Sequence, residues 1–146
     1  MLAKELFPCY YISGLYQAMN KQIILTASFF GILAVVFGAF GAHSLKALIS
    51  VDELKTWETA VQYHFYHVFA LLFLSAFSRL RSRLINISYW CFALGIILFS
   101  GSLYILSAKS ILHITQTSII GPITPLGGLF FIIGWASLFL ATIRNK

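Results

Sequence analysis

Long apolar stretches without a charged residue dominate this chain. Residues 22–42, 59–78 and 84–108 contain no Asp, Glu, Lys or Arg, and a fourth such stretch runs from residue 114 to residue 143. A helix needs about 20 apolar residues to cross the hydrocarbon core of a bilayer. The pattern therefore predicts four transmembrane helices, over about residues 22–43, 60–78, 84–107 and 124–143.

The fourth apolar stretch is too long for one simple crossing, and Pro122 and Pro125 divide it. Thr124 is a favourable N-cap residue, and proline is well tolerated at the first helical position. These residues predict that the fourth helix begins at Thr124. Strands of a membrane barrel would alternate apolar and polar residues, which runs such as FALLFL at residues 69–74 do not. The fold class predicted is an all-α, integral membrane four-helix bundle.

The link between the first two crossings has the pattern of an amphipathic helix. Ser50 and Glu53 have the spacing of a capping box, in which the two side chains bond each other's backbone N–H groups. Apolar residues then recur at helical spacing, at Leu54, Trp57 and Val61. The pattern predicts a short amphipathic interfacial helix, with Trp57 at the level of the lipid headgroups. It leaves open whether this helix ends before the second crossing or continues into it, straight or bent.

Composition excludes a water-soluble globular enzyme and a disordered chain. The 146 residues are 60% hydrophobic and only 10% charged, against about 25% charged residues in ordinary soluble domains. The net charge of +6 is compatible in principle with nucleic-acid binding, but no basic patch with interleaved reading residues is present. Membrane lipids are the predicted partners, and nucleic acid is not.

The positions of the basic residues predict the orientation in the membrane. Cytoplasmic segments of membrane proteins carry an excess of Lys and Arg. With four crossings, the N-terminal flank, the second loop and the tail share one side, and together they hold seven of the ten basic residues: Lys4, Lys21, Arg79, Arg81, Arg83, Arg144 and Lys146. We therefore expect a multi-pass protein of the inner (plasma) membrane with both termini in the cytoplasm.

The chain divides into a preface and one membrane domain. Residues 1–21 form an N-terminal extension whose aromatic residues favour the membrane interface. Met19, directly before the first apolar stretch, is an alternative start of translation. Residues 22–146 form a single transmembrane domain.

Small residues repeat along two of the predicted helices. Membrane helices associate where small side chains allow close approach. Such residues recur at spacings of four or seven in the first and fourth helices. The predicted packing positions are Gly31, Ala34, Gly38, Gly127, Gly134 and Ala141.

Polar residues gather at the predicted non-cytoplasmic ends of the helices. The histidines His43, His64, His67 and His113 fall on this side, and Ser100, Tyr104 and Ser107 share one face of the third helix. Polar groups within membranes tend to face the bundle interior. Three interpretations are open: mutually hydrogen-bonded interfacial residues, ligation of metal or haem by His43, His64 and His67, and a small cavity for a quinone, lipid or other amphiphile. An enzyme is the least supported alternative: Glu58 could orient a histidine and Ser100 or Ser102 could be a nucleophile, but no serine-hydrolase elbow surrounds them.

Four segments also resemble a known family. The segment GAFGAHSLK at residues 38–46 resembles the GAFGAHGLK signature of the small membrane proteins catalogued as domain of unknown function 423, the YgdD/YwdK-like group. Residues 57–67, 99–104 and 124–135 are similar to its other motifs. Ser44 and His64 depart from the pattern, which usually has Gly and Gln there. The resemblance covers about residues 22–143 and implies a multi-pass bacterial inner-membrane protein, without an established activity.

Because helix directions alternate, these four segments should meet at the non-cytoplasmic half of the bundle. The ligand site predicted there comprises His43, Trp57, Tyr63, His67, Ser100, Tyr104 and Thr124. We expect a non-enzymatic binding, accessory or scaffold protein that forms a homo-oligomer or joins a larger membrane complex. The alternatives are a small transporter or channel subunit, or a membrane protein that binds a quinone, haem or metal cofactor.

Overall fold

Four long helices make up the described part of the chain. The computed structural model describes residues 21–76, 83–114 and 120–144, so the predicted extension lies outside the described residues except for Lys21. The helices are α1 (Lys21–His43), α2 (Val51–Ala76), α3 (Arg83–Ser107) and α4 (Ile123–Arg144). Within these ranges the chain is all-α, as predicted, and a short 3-10 turn (Leu45–Ala47) follows α1.

The two outer helices each bury one narrow stripe. In α1 the buried residues are Ile23, Ala27, Phe30, Ala34 and Gly41. In α4 they are Gly127, Phe131, Gly134, Ser137, Leu138 and Ala141. Spacings of three and four residues put each set on one face of its helix. The α1 stripe packs against α2 and the α4 stripe packs against α3, while large apolar side chains on the opposite faces remain exposed.

The two central helices bury polar as well as apolar side chains. Helix α2 buries His64, His67 and Ser75, and α3 buries five residues with small polar or thiol groups: Ser88, Cys91, Ser100, Ser102 and Ser107. Among the described residues, α1, α3 and α4 are long and apolar enough to cross a membrane. Helix α2 is as long as these helices but more polar, because its first turns carry charged residues and its middle carries His64 and His67.

The predicted amphipathic segment is the beginning of α2 and is not a separate helix. Its capping box forms: Glu53 Oε2 accepts hydrogen bonds from the Ser50 backbone N–H at 3.0 Å and from Ser50 Oγ at 2.9 Å. The helix then continues without a break to Ala76. The apolar face of the segment packs on the protein, since Trp57 is buried against Phe37 and Tyr104; its position at the level of the lipid headgroups stays a prediction.

The start of α4 also differs slightly from the prediction. The helix begins at Ile123, so Thr124 is its second residue. The Thr124 hydroxyl lies 2.7 Å from Ser102 Oγ of α3, a tertiary contact that the local sequence does not reveal. Pro125 still lies in the first turn, where a backbone N–H has no partner within the helix.

Glycines permit close approach between the helices. A Cβ built on Gly127 would lie 2.7 Å from the Phe99 Cα atom, and one built on Gly134 would lie 2.6 Å from the Phe92 ring. On α1, Gly31 and Gly38 face Val68 and Val61 at ordinary van der Waals distance. Ala34 and Ala141 are buried in the same two stripes.

Candidate functional site

The third helix changes its winding beside the polar residues of its C-terminal half. Residues Ile96–Ser100 form a π-helical turn between two α-helical parts. Such turns are rare and frequently accompany functional sites. In α3, Ser102 and Ser107 each donate a hydrogen bond to a backbone carbonyl three or four residues earlier, and Ser75 of α2 does the same. The Ser100 hydroxyl is fully buried and has no partner among the described residues.

A first cluster, here called the His64 cluster, lies between α1, α2 and α3. It comprises His64, Tyr104 and Trp57 with Phe30 and Phe37 of α1. His64 Nδ1 lies 3.2 Å from the Tyr104 hydroxyl, and the Trp57 Nε1–H donates to the Phe37 carbonyl at 2.9 Å. The rings of Trp57 and Tyr104 are 4.6 Å apart. The cluster is closed to solvent, because His64, Trp57 and Tyr104 are each less than a tenth exposed.

The second ring nitrogen of His64 is a buried polar atom without a partner. Nε2 makes no hydrogen bond to any described residue. A buried and unsatisfied polar atom is costly, and native structures contain few of them. In the His64 cluster, one hydrogen bond, from His64 to Tyr104, thus joins α2 to α3, and the other ring nitrogen of His64 has no partner among the described residues.

A second cluster, here called the His67 cluster, lies between α2, α3 and α4. It comprises His67, Tyr63, Phe99, Phe131 and Trp135. The His67 ring stacks on Phe131 at a centroid distance of 3.4 Å, and the Tyr63 ring lies 4.7 Å from that of Phe99.

The hydrogen bonds of His67 assign its tautomer. Nδ1 lies 2.8 Å from the Tyr63 carbonyl oxygen. A carbonyl can only accept, so Nδ1 carries the proton and Nε2 carries a lone pair. Nε2 accepts from the Trp135 Nε1–H at 3.4 Å. His67 is therefore a neutral side chain with both nitrogens engaged, and it holds α4 to α2 from within the bundle.

The His67 cluster forms the floor of a groove that opens sideways from the bundle. The cavity measures about 560 Å³, within the range of small-molecule sites. Its described lining residues are Tyr63, His67, Phe99, Pro125, Gly128, Leu129, Phe131, Ile132 and Trp135. None of them carries a formal charge when His67 is neutral. Tyr63, Leu129, Ile132 and Trp135 are exposed at its rim.

The predicted site residues do not form one site. They are divided between the His64 cluster, the His67 cluster and a separate contact of Thr124 with Ser102. Trp57 and Tyr104 touch in the His64 cluster, and Tyr63 and His67 touch in the His67 cluster. Thr124 bonds Ser102, and Ser100 is buried in the π-helical turn. His43 is exposed at the end of α1.

Three residues outside the predicted set are as well placed as its members. His64 bonds Tyr104, Phe131 stacks on His67, and Trp135 donates to His67. The spacing of His64 and His67 indicated a shared polar face, but the two rings contact different neighbours. The four-residue spacing of Phe131 and Trp135 is compatible with a common lining, yet only the tertiary structure shows what they line.

The histidines do not assemble into a metal-binding group. Across residues 21–76, 83–114 and 120–144, no three His, Cys, Asp or Glu side chains are placed to hold one ion. His67 has no lone pair free for a metal, because the Trp135 N–H occupies Nε2. The geometry thus favours the cavity interpretation over metal ligation by His43, His64 and His67.

Comparison with known proteins identifies the family to which this chain belongs. A family model described as a protein of unknown function, DUF423, matches residues 37–128. The chain is 44% identical over 124 residues to the UPF0382 membrane protein SAB0533 of Staphylococcus aureus, which covers 85% of this chain and 97% of the relative. It is 42% identical over 126 residues to the UPF0382 membrane protein YwdK of Bacillus subtilis, with 85% and 98% covered. No solved structure matches the chain. The chain is therefore a multi-pass membrane protein of the DUF423 (UPF0382) family.

Proposed function

We propose that this protein is a non-enzymatic membrane protein that binds an amphiphile in the groove over the His67 cluster. In this proposal all four helices cross the inner (plasma) membrane, both termini are cytoplasmic, and the groove lies in the non-cytoplasmic half. The distribution of basic residues supports this orientation. The bond from Ser110 to Glu53 joins the start of α2 to the segment that follows α3, which supports the crossing of the membrane by both of these helices.

The single observation that carries the proposal is an uncharged, aromatic cavity whose rim is formed by exposed side chains of two long helices, α2 and α4. The backbones of α2 and α4 remain apart, and aromatic side chains fill only the floor between them. An aqueous substrate would have to leave water for an apolar opening. A lipid-soluble molecule enters from the bilayer without that cost.

The state of the polar groups favours binding over catalysis. Both nitrogens of His67 are hydrogen-bonded within the protein, so the ring has no free nitrogen to serve as a base. The Ser102 hydroxyl of α3 is hydrogen-bonded to the Thr124 hydroxyl and donates to the Phe99 carbonyl. These groups hold the groove in shape. An accessory or scaffold role in a homo-oligomer or a larger membrane complex is compatible with such binding.

The experiment compares two glycine variants of equal added volume. Gly128 lines the groove, whereas Gly101 has no neighbouring atom within 4 Å of a built Cβ and lies outside it. Protein purified in mild detergent is analysed by native mass spectrometry and by extraction of its bound lipids. We expect a co-purified amphiphile in the wild type and in Gly101→Leu, and about a tenth as much in Gly128→Leu.

Equal occupancy in the two variants, or no adduct in the wild type, would contradict the proposal. Thermal unfolding of both variants in the same detergent is the control for folding. A loss of adduct counts only if Gly128→Leu unfolds within a few degrees of Gly101→Leu.

A further inference from the structure

The groove offers hydrogen-bond donors without positive charge. Trp135 contributes an indole N–H and Tyr63 a phenolic O–H, which has no partner among the described residues. No described lining residue is Lys or Arg. Phosphate headgroups are bound by charge-assisted hydrogen bonds, most often from those two residue types. The donor set therefore suits a neutral headgroup that carries acceptor oxygens.

The walls of the groove are flat. Tyr63, Phe99, His67, Phe131 and Trp135 all present rings, and Tyr63 lies nearly parallel to Phe131 at a centroid distance of 6.5 Å and an interplanar angle of 26°. Aromatic rings pack on one another at centroid separations of about 4.5–7 Å. A planar ligand makes such contacts over its whole face, whereas an acyl chain or a branched headgroup does not.

The length of the groove accommodates a ring with the first part of a tail. Its lining on α4 runs from Pro125 to Trp135, and ten residues of α-helix rise about 15 Å. A two-ring quinone headgroup is shorter than this distance. The remaining length and the open side leave an exit for a hydrocarbon tail into the bilayer.

We infer that the ligand is the ring of an isoprenoid quinone, with its carbonyl oxygens accepting from the Tyr63 hydroxyl and the Trp135 N–H. This inference rests on the proposed function and names its ligand class. The Trp135 bond to His67 is long, at 3.4 Å, which is weak geometry for an N–H donor. A quinone carbonyl that takes this N–H leaves His67 Nε2 without a donor, and the ring contacts of the quinone must offset that loss. The inferred event is binding only, without transfer of electrons.

The test measures binding of two probes by isothermal titration calorimetry in detergent. One probe is a 1,4-naphthoquinone with a short isoprenoid chain, and the other is an isoprenoid alcohol of equal chain length. We expect the quinone to bind at least tenfold more tightly. Trp135→Phe and Tyr63→Phe, which keep the rings and remove the donors, should each weaken quinone binding about tenfold and leave the alcohol unaffected.

Trp90→Phe is the matched control. Trp90 is exposed on α3 and is not part of the groove lining, so this variant should bind both probes as the wild type does. Equal affinity for quinone and alcohol, with both lost in Gly128→Leu, would overturn the quinone inference and leave the proposed function standing. Binding of neither probe, together with equal amounts of co-purified amphiphile in Gly128→Leu and Gly101→Leu, would overturn both.

Discussion

His64 and Tyr104 form a buried polar bond between two helices of a membrane protein. The imidazole and the phenol are 2% and 9% exposed, and their bond spans 3.2 Å. If one partner is removed, the other remains buried without a hydrogen bond, which costs more than the bond itself contributes. The two residues should therefore be strongly coupled in stability.

We expect His64→Leu to destabilise the protein by about 1–3 kcal/mol, since it leaves the Tyr104 hydroxyl without a partner. Tyr104→Phe should destabilise the protein at least as much, because it leaves both ring nitrogens of His64 buried without a hydrogen bond, whereas His64→Leu also removes the nitrogen that already has no partner. The double variant should be more stable than the sum of the single effects predicts. A double-mutant cycle from reversible unfolding in detergent measures this coupling, and purely additive effects would contradict it.

The two histidines also show what the sequence can and cannot reveal about the site. Their spacing on α2 indicates a shared polar face, and the predicted site includes His67, Tyr63, Trp57 and Tyr104. The division into two clusters follows from the positions of the outer helices, because α1 packs against α2 whereas α4 packs against α3. Periodicity along a single helix carries no information about which neighbour a side chain meets.

At the scale of elements, one contact between α3 and α4 places a glycine directly against helix backbone. Gly127 faces the backbone N and Cα atoms of Phe99, whereas a Cβ on Gly128 would meet only the Phe99 ring, at 3.8 Å. A flexible side chain can move aside, but helix backbone cannot. Neighbouring glycines therefore have different roles in the contact between these helices.

Gly127→Ala should destabilise the bundle by about 1–3 kcal/mol through overpacking. Gly128→Ala should be neutral or slightly stabilising, because alanine is favoured over glycine within a helix by about 0.5–1 kcal/mol. Thermal unfolding of both variants in one detergent checks the difference. Equal stability of the two would show that the α3–α4 contact tolerates a methyl group at Gly127.

The capping box of α2 should make the stability of the folded protein depend on pH. The Ser50 backbone N–H and then the Ser50 hydroxyl hold the pKa of Glu53 below its ordinary value of 4.5, with smaller contributions from Ser110 and Lys109. A carboxyl group whose pKa is lowered by folding stabilises the folded state above its unfolded pKa. That stabilisation is lost as the pH falls through the folded pKa.

We therefore expect the unfolding temperature to fall below about pH 4.5, and Glu53→Gln to remove this part of the pH dependence. Glu58→Gln is the matched control, since Glu58 lies on the same helix and makes no hydrogen bond to a described residue. The measurement is the unfolding temperature of the wild type and of both variants between pH 7 and pH 3. The prediction fails if Glu53→Gln keeps the full profile of the wild type.

The helices themselves could be predicted well, because their positions depend on local properties. Charge-free stretches of suitable length locate α1, α3 and α4 to within a few residues. The start of α2 is different: its capping box forms as predicted, and the segment continues into the second long helix instead of forming a helix of its own. An amphipathic face looks the same in sequence whether it meets lipid headgroups or, as Trp57 does, a protein interior.

At the scale of the whole molecule, the orientation in the membrane is the prediction on which the location of the groove depends. Ser44 and Leu112 are exposed in the segments after α1 and α3. The contact of Ser110 with Glu53 places those two segments at the same end of the bundle. Ser82 and Asn145 lie in the second loop and in the tail, beside the basic residues that predict the cytoplasmic side.

We expect a membrane-impermeant maleimide to label Ser44→Cys and Leu112→Cys in intact cells, and to label Ser82→Cys and Asn145→Cys only after permeabilisation. The background for these variants replaces Cys9 and Cys91 with alanine, and none of the substitutions alters a Lys or Arg. The reverse pattern would place the groove in the cytoplasmic half and leave its amphiphile entering from the other leaflet. Labelling of Ser44→Cys and Leu112→Cys from opposite sides would contradict a fold in which α2 and α3 both cross the membrane. The four positions together therefore test both the number of crossings and their direction.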